Sequence, residues 1–439
     1  MSDIQIGLLS ILGILLLIQS GMHVSVALLL LSFCGVWAMK DNGIIAGKML
    51  SLAAAESISS YAFGVIPLFV LMGLLVGASD IGRDTFDVCN RLFRRMRGGL
   101  GVSTVAANAV FAAVQGTTIA SASVFTKVAV PELIRLGYTP RFAVGVVAGS
   151  SVLGMLIPPS LLLILYGIVA EVSIGQMFTA GIIPGILLAF AFVVLIGYLV
   201  RRHPKFVGEG ALKLEKPNPE TDASAMELAG LISPIVILIA IVLGGIYGGL
   251  FTPTEAGGVG ALAALILAVV KRRLSWAAFK DVLIETGYVT ASISFLLIAA
   301  HLYANMLALS GLPDFMGHWI ETTNIGLVGV LIVYLIAIIL LGTILDSASI
   351  MLILLPLVVP VMAKLGVDLV WFGIVTVIAV EIGVLTPPLG IACFVIRANL
   401  EDDRITLGDI FRGAAPFALT MLIVLALVVA IPWLATGLL

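Results

Sequence analysis

Charge is what this sequence has least of. Of 439 residues only 11% are Asp, Glu, Lys or Arg, while 61% are hydrophobic. A soluble domain carries about 25% charged residues. A water-facing globule is therefore excluded, and most of the surface faces hydrocarbon. Cysteine is scarce as well. Cys34, Cys89 and Cys393 are odd in number and scattered, which excludes a disulfide framework and a thiolate metal cluster. The four histidines (His23, His203, His301 and His318) form no H-E-x-x-H pattern, and no serine has an evident base. An intramembrane enzyme would lack its machinery. The small net charge of −2 argues against nucleic acid as a partner.

What remains is apolar length. A spanning helix needs about 20 apolar residues, so the chain has room for many. Residues 4–39 carry no charge at all. They are not a signal peptide, because Asp3 stands where a basic region belongs and the run is too long. Two spans with a tight turn near Gly21 fit better.

The cations sort by loop. Arg83, Arg91, Arg94, Arg95 and Arg97 form one set, and Lys127, Arg135 and Arg141 the next. Further sets fall at 201–216, 271–280 and 397–412, leaving only Lys40, Lys48 and Lys364 elsewhere. Under the positive-inside rule the basic loops are cytoplasmic. Both 80–100 and 127–141 are then inside, so the stretch 101–126 enters and leaves on one side. It is small and polar, and a re-entrant hairpin fits. The weakly charged loop near Lys364 falls outside, which makes 325–362 a second hairpin entering from the opposite face. The mixed-charge stretch 201–230, with Pro204, Pro217 and Pro219, reads as an aqueous linker between two halves.

The halves repeat. Pro131 is followed by Gly137 six residues on and by Pro158-Pro159 after 21 more; Pro360, Gly366 and Pro387-Pro388 keep the same phase. Arg135-Leu136-Gly137 answers Lys364-Leu365-Gly366. Copies on opposite sides of the membrane make an inverted-topology repeat, typical of secondary transporters and not needed by a passive channel.

A Pro-Pro pair in mid-membrane cannot continue a helix. The carbonyls it frees must be buried in protein or line a wet cavity. Segments 142–167 and 371–396 therefore read as broken helices. Unwound carbonyls suit a small cation, and half-helix N-termini suit a carboxylate. The hairpin tips, Gln115-Gly116-Thr117-Thr118 and Gly342 to Ser349, add hard oxygen donors. The expected cation ligands are Gln115, Gly116, Thr117, Thr118, Ser150, Gly154, Gly342, Asp346, Ser347, Gly383 and Thr386. The expected substrate contacts are Ser151, Pro158, Pro159, Ser160, Ser349, Pro387 and Pro388. For any one hydroxyl the alternative is a bond back to the carbonyl four residues earlier. Asp346 reads as functional, because a carboxylate at that depth is expensive. Glu381 reads either as a second such group or as a packing carboxyl. His301 reads as a satisfied structural histidine, and Gly245, Gly248 and Gly249 as helix-packing glycines. Arg91 to Arg97 read as anchors to anionic headgroups of the lipid bilayer.

At these residues the sequence resembles the large membrane subunit of TRAP transporters, the DctM/SiaM type. The likeness covers nearly the whole chain. It is carried by Ile157-Pro158-Pro159-Ser160 with Tyr166-Gly167, by Ala180-Gly181-Ile182-Ile183-Pro184-Gly185, by Thr252-Pro253-Thr254-Glu255-Ala256, and by Gly383 to Gly390. One departure is Gln115-Gly116-Thr117-Thr118, where many relatives have a Ser-Gly-Ser-Ser type tip. The resemblance implies an all-α polytopic protein of the bacterial inner membrane, an elevator with two re-entrant hairpins. Scaffold spans would lie at 1–100, 231–324 and 414–439, and transport repeats at 101–200 and 325–413. It further implies sodium-driven import of a small carboxylate solute with no other cofactor. A periplasmic substrate-binding protein and a separate small four-helix membrane subunit would be its partners. The rival is a binding-protein-independent dicarboxylate or citrate carrier.

Overall fold

The computed structural model describes residues 2–212, 224–323 and 325–439, and these form helices and turns with no strand among them. Hydrocarbon explains that choice: every backbone N–H and C=O needs an internal partner, and a helix supplies them within one segment. Six described helices are long and apolar enough to cross a bilayer alone, and two bent pairs raise the number to eight.

The chain opens with α1 (Asp3–Gln19) and α2 (Val24–Lys40). Gly21 between them has φ +91°, a conformation that favours glycine. In α3 (Gly43–Ser59) the Asn42 side chain caps the first turn, accepting from the Ile44 and Ile45 amides. The apolar α4 (Val65–Ala78) bends by 64° into α5 (Ile81–Phe93). This last helix is amphipathic: Ile81, Phe86 and Cys89 face inward, Arg83 and Asp87 outward. Such a helix lies along a membrane surface rather than through it.

Next come α6 (Gly99–Gln115) and α7 (Thr118–Arg135), the first hairpin. Its return arm continues past residue 126, into the stretch that reads as basic loop in the sequence, because the exposed Lys127 does not interrupt a helix. Then α8 (Pro140–Ser151), the single turn α9 (Leu153–Leu156) and α10 (Leu161–Val169) form the first broken helix, bent by 41°. A long span, α11 (Ile174–Arg202), returns the chain.

The start of the expected linker is not free. The short α12 (Pro204–Val207) and the turn Glu209–Leu212 dock on the loop between α7 and α8. Thr139 N donates to Val207 O (2.9 Å), Gly210 N to Gly137 O (3.1 Å) and Gly98 N to Ala211 O (2.9 Å). Buried Val207 and Ala211 make this stretch part of the core. The section with Lys213, Lys216, Pro217 and Pro219 lies outside the described residues.

The second half begins with α13 (Ala225–Tyr247), α14 (Pro253–Val270), the long α15 (Trp276–Ser310) and α16 (Leu312–Thr323). Here Gly245, Gly248 and Gly249 close the end of α13 instead of packing helices. Leu250 N donates to Gly245 O (2.9 Å), Gly249 has φ +68°, and the Phe251 ring fills the space where a Gly245 Cβ would stand. His301 is also not a buried, satisfied histidine, because its side chain is exposed on α15. The second hairpin is α17 (Gly326–Gly342) and α18 (Ser347–Lys364), and the second broken helix is α19 (Leu369–Gly383) and α20 (Ile391–Asn399). The chain closes with α21 (Leu407–Ala430) and the short α22 (Trp433–Thr436).

Capping shows the repeat in physical terms. Thr139 caps α8 and Asp368 caps α19, at matching places in the two halves. Thr117 caps α7 and Asp346 caps α18 in the same way. Glycines bring helices into backbone contact: a Cβ on Gly145 of α8 would stand 2.3 Å from the Gly413 carbonyl of α21.

One ion cluster ties the halves together. Asp84 of α5, with its side chain 6% exposed, accepts from Lys271 Nζ (2.5 Å) and Arg273 (3.0 Å) just after α14. Removing one member of a buried pair strands the others. Asp84→Asn should cost about 2 kcal/mol, a value at the low end because its partners are part-exposed. The check is a lowered thermal midpoint in detergent, with a smaller loss for Lys271→Ala.

Candidate functional site

Each hairpin tip is stitched to the break in its own broken helix. In the first repeat Gly116, with φ +68°, turns the chain, and its carbonyl accepts from Leu161 N (3.1 Å). A Cβ on Gly116 would sit 2.9 Å from Pro159 O, and one on Gly154 would sit 2.7 Å from Thr117 O. In the second repeat the Thr343 carbonyl accepts from Leu389 N (3.0 Å). There Gly342 and Gly383 touch backbone to backbone, each Cβ position lying 2.6 Å from the other's Cα. Both Pro-Pro bonds are cis.

The tips also meet each other. Glu381, 1% exposed on α19, accepts from Thr118 Oγ1 (2.6 Å) of the first hairpin and from Ser347 Oγ (2.9 Å) of the second. Asp346 plays a different part. It caps α18, accepting from Ser349 N (3.1 Å) and from the Ser349 hydroxyl.

Beside this junction lies a cavity of about 540 Å³. One wall carries Gln115, Thr117, Thr118, Asp346 and Ser347 from the tips. The lining also includes Glu285, Tyr288 and Ser292 of α15 and Val70 and Leu74 of α4. No lysine, arginine or histidine lines it. Its charged groups are two carboxylates, and the N-terminal turns of α7 and α18 offer the positive ends of helix dipoles. Gln115 is wedged toward α4. Its backbone carbonyl lies 2.9 Å from where a Gly73 Cβ would be, and its side chain reaches Gly77. The Gln115 Oε1 is buried without a hydrogen-bond partner.

Other expected site residues are placed elsewhere. Ser150 donates to Val146 O (2.6 Å) and accepts from Asn108 Nδ2 (2.7 Å). Ser151 donates to Ala148 O (2.8 Å), and Thr386 to Ile382 O (2.7 Å). These hydroxyls bond back along their own helix and do not line the cavity. Ser160 caps α10, accepting from Leu163 N and donating to Met155 O, and with Pro159 it borders a small recess behind the first tip. Pro158 shapes the break, Ser349 is consumed by Asp346, and Pro387 and Pro388 are exposed away from the cavity. Substrate contact by Ser151, Pro387 and Pro388 is thus not what this arrangement offers. The α15 wall is absent from the motifs read in the sequence, although a signal for it exists. Glu285, Tyr288 and Ser292 stand at i, i+3 and i+7, a polar stripe on one helical face.

The model of the family described as "Tripartite ATP-independent periplasmic transporter, DctM component" matches residues 11–434. The chain belongs to the DctM family of TRAP transporter large permeases. It is 33% identical over 387 residues to a C4-dicarboxylate TRAP transporter large permease of Pseudomonas aeruginosa, 88% of each chain being covered. It is 31% identical over 426 residues to a sialic acid TRAP transporter large permease of Vibrio cholerae, covering 96% of each. The fold is similar to the crystal structure of the Alcanivorax borkumensis YdaH transporter, with a TM-score of 0.63, 15% identity and 89% of each chain covered. DctM-family relatives are permeases rather than enzymes, and this chain is a multi-pass membrane protein of that family.

Proposed function

We propose that the chain is the large subunit of a sodium-coupled importer of small organic acids in the bacterial inner membrane, served by a periplasmic binding protein and a small four-helix membrane subunit. The observation that carries the reading is the cavity between the two tips and α15. It joins hydroxyls and helix N-termini with carboxylates and has no basic residue, so an anion entering it needs cations beside it. Sodium at the tips supplies them, and the positive ends of α7 and α18 hold the substrate carboxylate. The relatives' substrates differ, one a C4-dicarboxylate and one a sialic acid, and the cavity is roomy enough for either class.

The proposed motion is an elevator: the hairpins and broken helices slide against α4 and α15. The first tip rests beside Gly73 and Gly77, toward the end of α4 that leads through α5 to the basic Arg94, Arg95 and Arg97, and the tips face the first half of α15. This is the inward position, and Gln115 must leave its glycine groove for the outward one.

The test is reconstitution of the chain with its small subunit in proteoliposomes under an inward sodium gradient, with substrate delivered by the binding protein. Uptake should require the gradient and the binding protein together. Uptake of free dicarboxylate by the chain alone would overturn the tripartite reading in favour of a self-sufficient carrier.

A further inference from the structure

Glu381 is a buried carboxylate that touches both repeats, and the first repeat has no counterpart to it. Six residues before Pro387 the second repeat has Glu381, and six before Pro158 the first has Val152. The two hydroxyls that reach Glu381 are themselves matching residues, since Thr118 follows the cap Thr117 and Ser347 follows the cap Asp346. One carboxylate thus serves both tips. Among the described residues no lysine, arginine or histidine forms an ion pair with it. An ionised carboxylate at that depth, with hydroxyl donors alone, is costly until a cation comes near.

The hydrogen-bond geometry adds a second point. A hydroxyl has one proton and two lone pairs. Thr118 and Ser347 both spend the proton on Glu381. Their lone pairs are then free to face other partners, and both residues border the cavity. A hydroxyl that donates to a carboxylate is also the stronger electron-pair donor toward a cation.

We propose that Glu381 is the positioning residue that unites the two cation-binding tips. It turns both hydroxyls into oriented ligands, and its charge joins that of Asp346 as one the coupling cations neutralise. This deepens the sodium-coupled reading above and rests on it. The glutamine variant separates the roles. An amide offers one acceptor and one donor group, so one of the two hydroxyls must reverse and point its proton at the cation.

The experiment is sodium-dependent uptake in proteoliposomes holding the chain, its small subunit and the binding protein. The variants are Glu381→Gln, Glu381→Asp, Thr118→Ala, Ser347→Ala and the Thr118→Ala/Ser347→Ala double. Glu381→Gln should raise the half-saturating sodium concentration about tenfold or more, the loss expected of a charge-assisted pair. At saturating sodium the half-saturating concentration of loaded binding protein should stay within about twofold. Glu381→Asp, which keeps the charge, should fall between. The double variant should raise the sodium requirement by less than the product of its singles, because both hydroxyls act through one carboxylate. This cycle decides the matter even if Glu381→Gln fails to reach the membrane. An unchanged sodium requirement in Glu381→Gln, or a double variant equal to the product of its singles, would overturn the proposal. Sodium-independent uptake by the native chain would sink the sodium reading and this one with it. Sodium-driven uptake with an insensitive Glu381 would sink only this one.

Discussion

Asp346→Asn is expected to leave the chain folded in the membrane while lowering uptake at limiting sodium about a hundredfold. The substitution is informative because Asp346 has two roles that asparagine separates. It caps α18 through Ser349, and asparagine caps a helix as well as aspartate does. Asparagine removes the charge at the cavity wall and one of the two acceptors, so it keeps the cap from Ser349 N while the Ser349 hydroxyl must turn its proton elsewhere. Asp346→Ala is the companion, since it removes the cap as well and should cost about 1 kcal/mol of stability. Near-normal uptake by Asp346→Asn at limiting sodium would make the residue a cap and nothing more.

Gly383→Ala is expected to abolish uptake by another route. The new Cβ would stand 2.6 Å from Gly342 Cα and 2.9 Å from Ile339 O. Both are backbone atoms, so no side chain can swing aside; α17 itself must move. That movement would pull the second tip from the break and strain the bond from Leu389 N to Thr343 O. Overpacking of this kind costs about 3 kcal/mol or more. The control is Gly244→Ala in the interior of α13, where nothing lies within 4 Å of the new Cβ. That change should be neutral or add up to about 1 kcal/mol, as alanine favours a helix over glycine. A Gly383→Ala protein with normal uptake and thermal midpoint would show that the two backbones need not touch.

The parts of the fold that local chemistry encodes are legible in the sequence. Proline pairs break helices wherever they fall, and Pro131 with Gly137 and Pro360 with Gly366 set the phase of two copies. The hairpin tips follow from Gly116 and Gly342 and from the hydroxyl or carboxyl caps behind them. Whether a hydroxyl faces inward or bonds back is not encoded locally, and Ser150, Ser151 and Thr386 bond back. The α15 wall comes from a distant stretch of chain, so no short pattern near the tips points to it. The meeting of Thr118, Ser347 and Glu381 is of the same kind, because it joins residues from both halves. The start of the linker departs from its free, aqueous reading because a polar composition does not exclude backbone docking, and Thr139 and Gly137 supply the partners.

The cavity without a basic residue has an electrical consequence. A membrane voltage acts on fixed charge with about 2.3 kcal/mol per elementary charge for each 100 mV crossed. An unloaded elevator body carrying the carboxylate of Asp346 would be pushed toward the periplasm by an inside-negative potential. Cations bound at the tips would oppose that push on the inward stroke. The resting voltage of the cell would thus act as a return spring on the empty carrier, while its push on the loaded one is set by how far the bound cations outnumber the negative charges of the protein carboxylates and the substrate together.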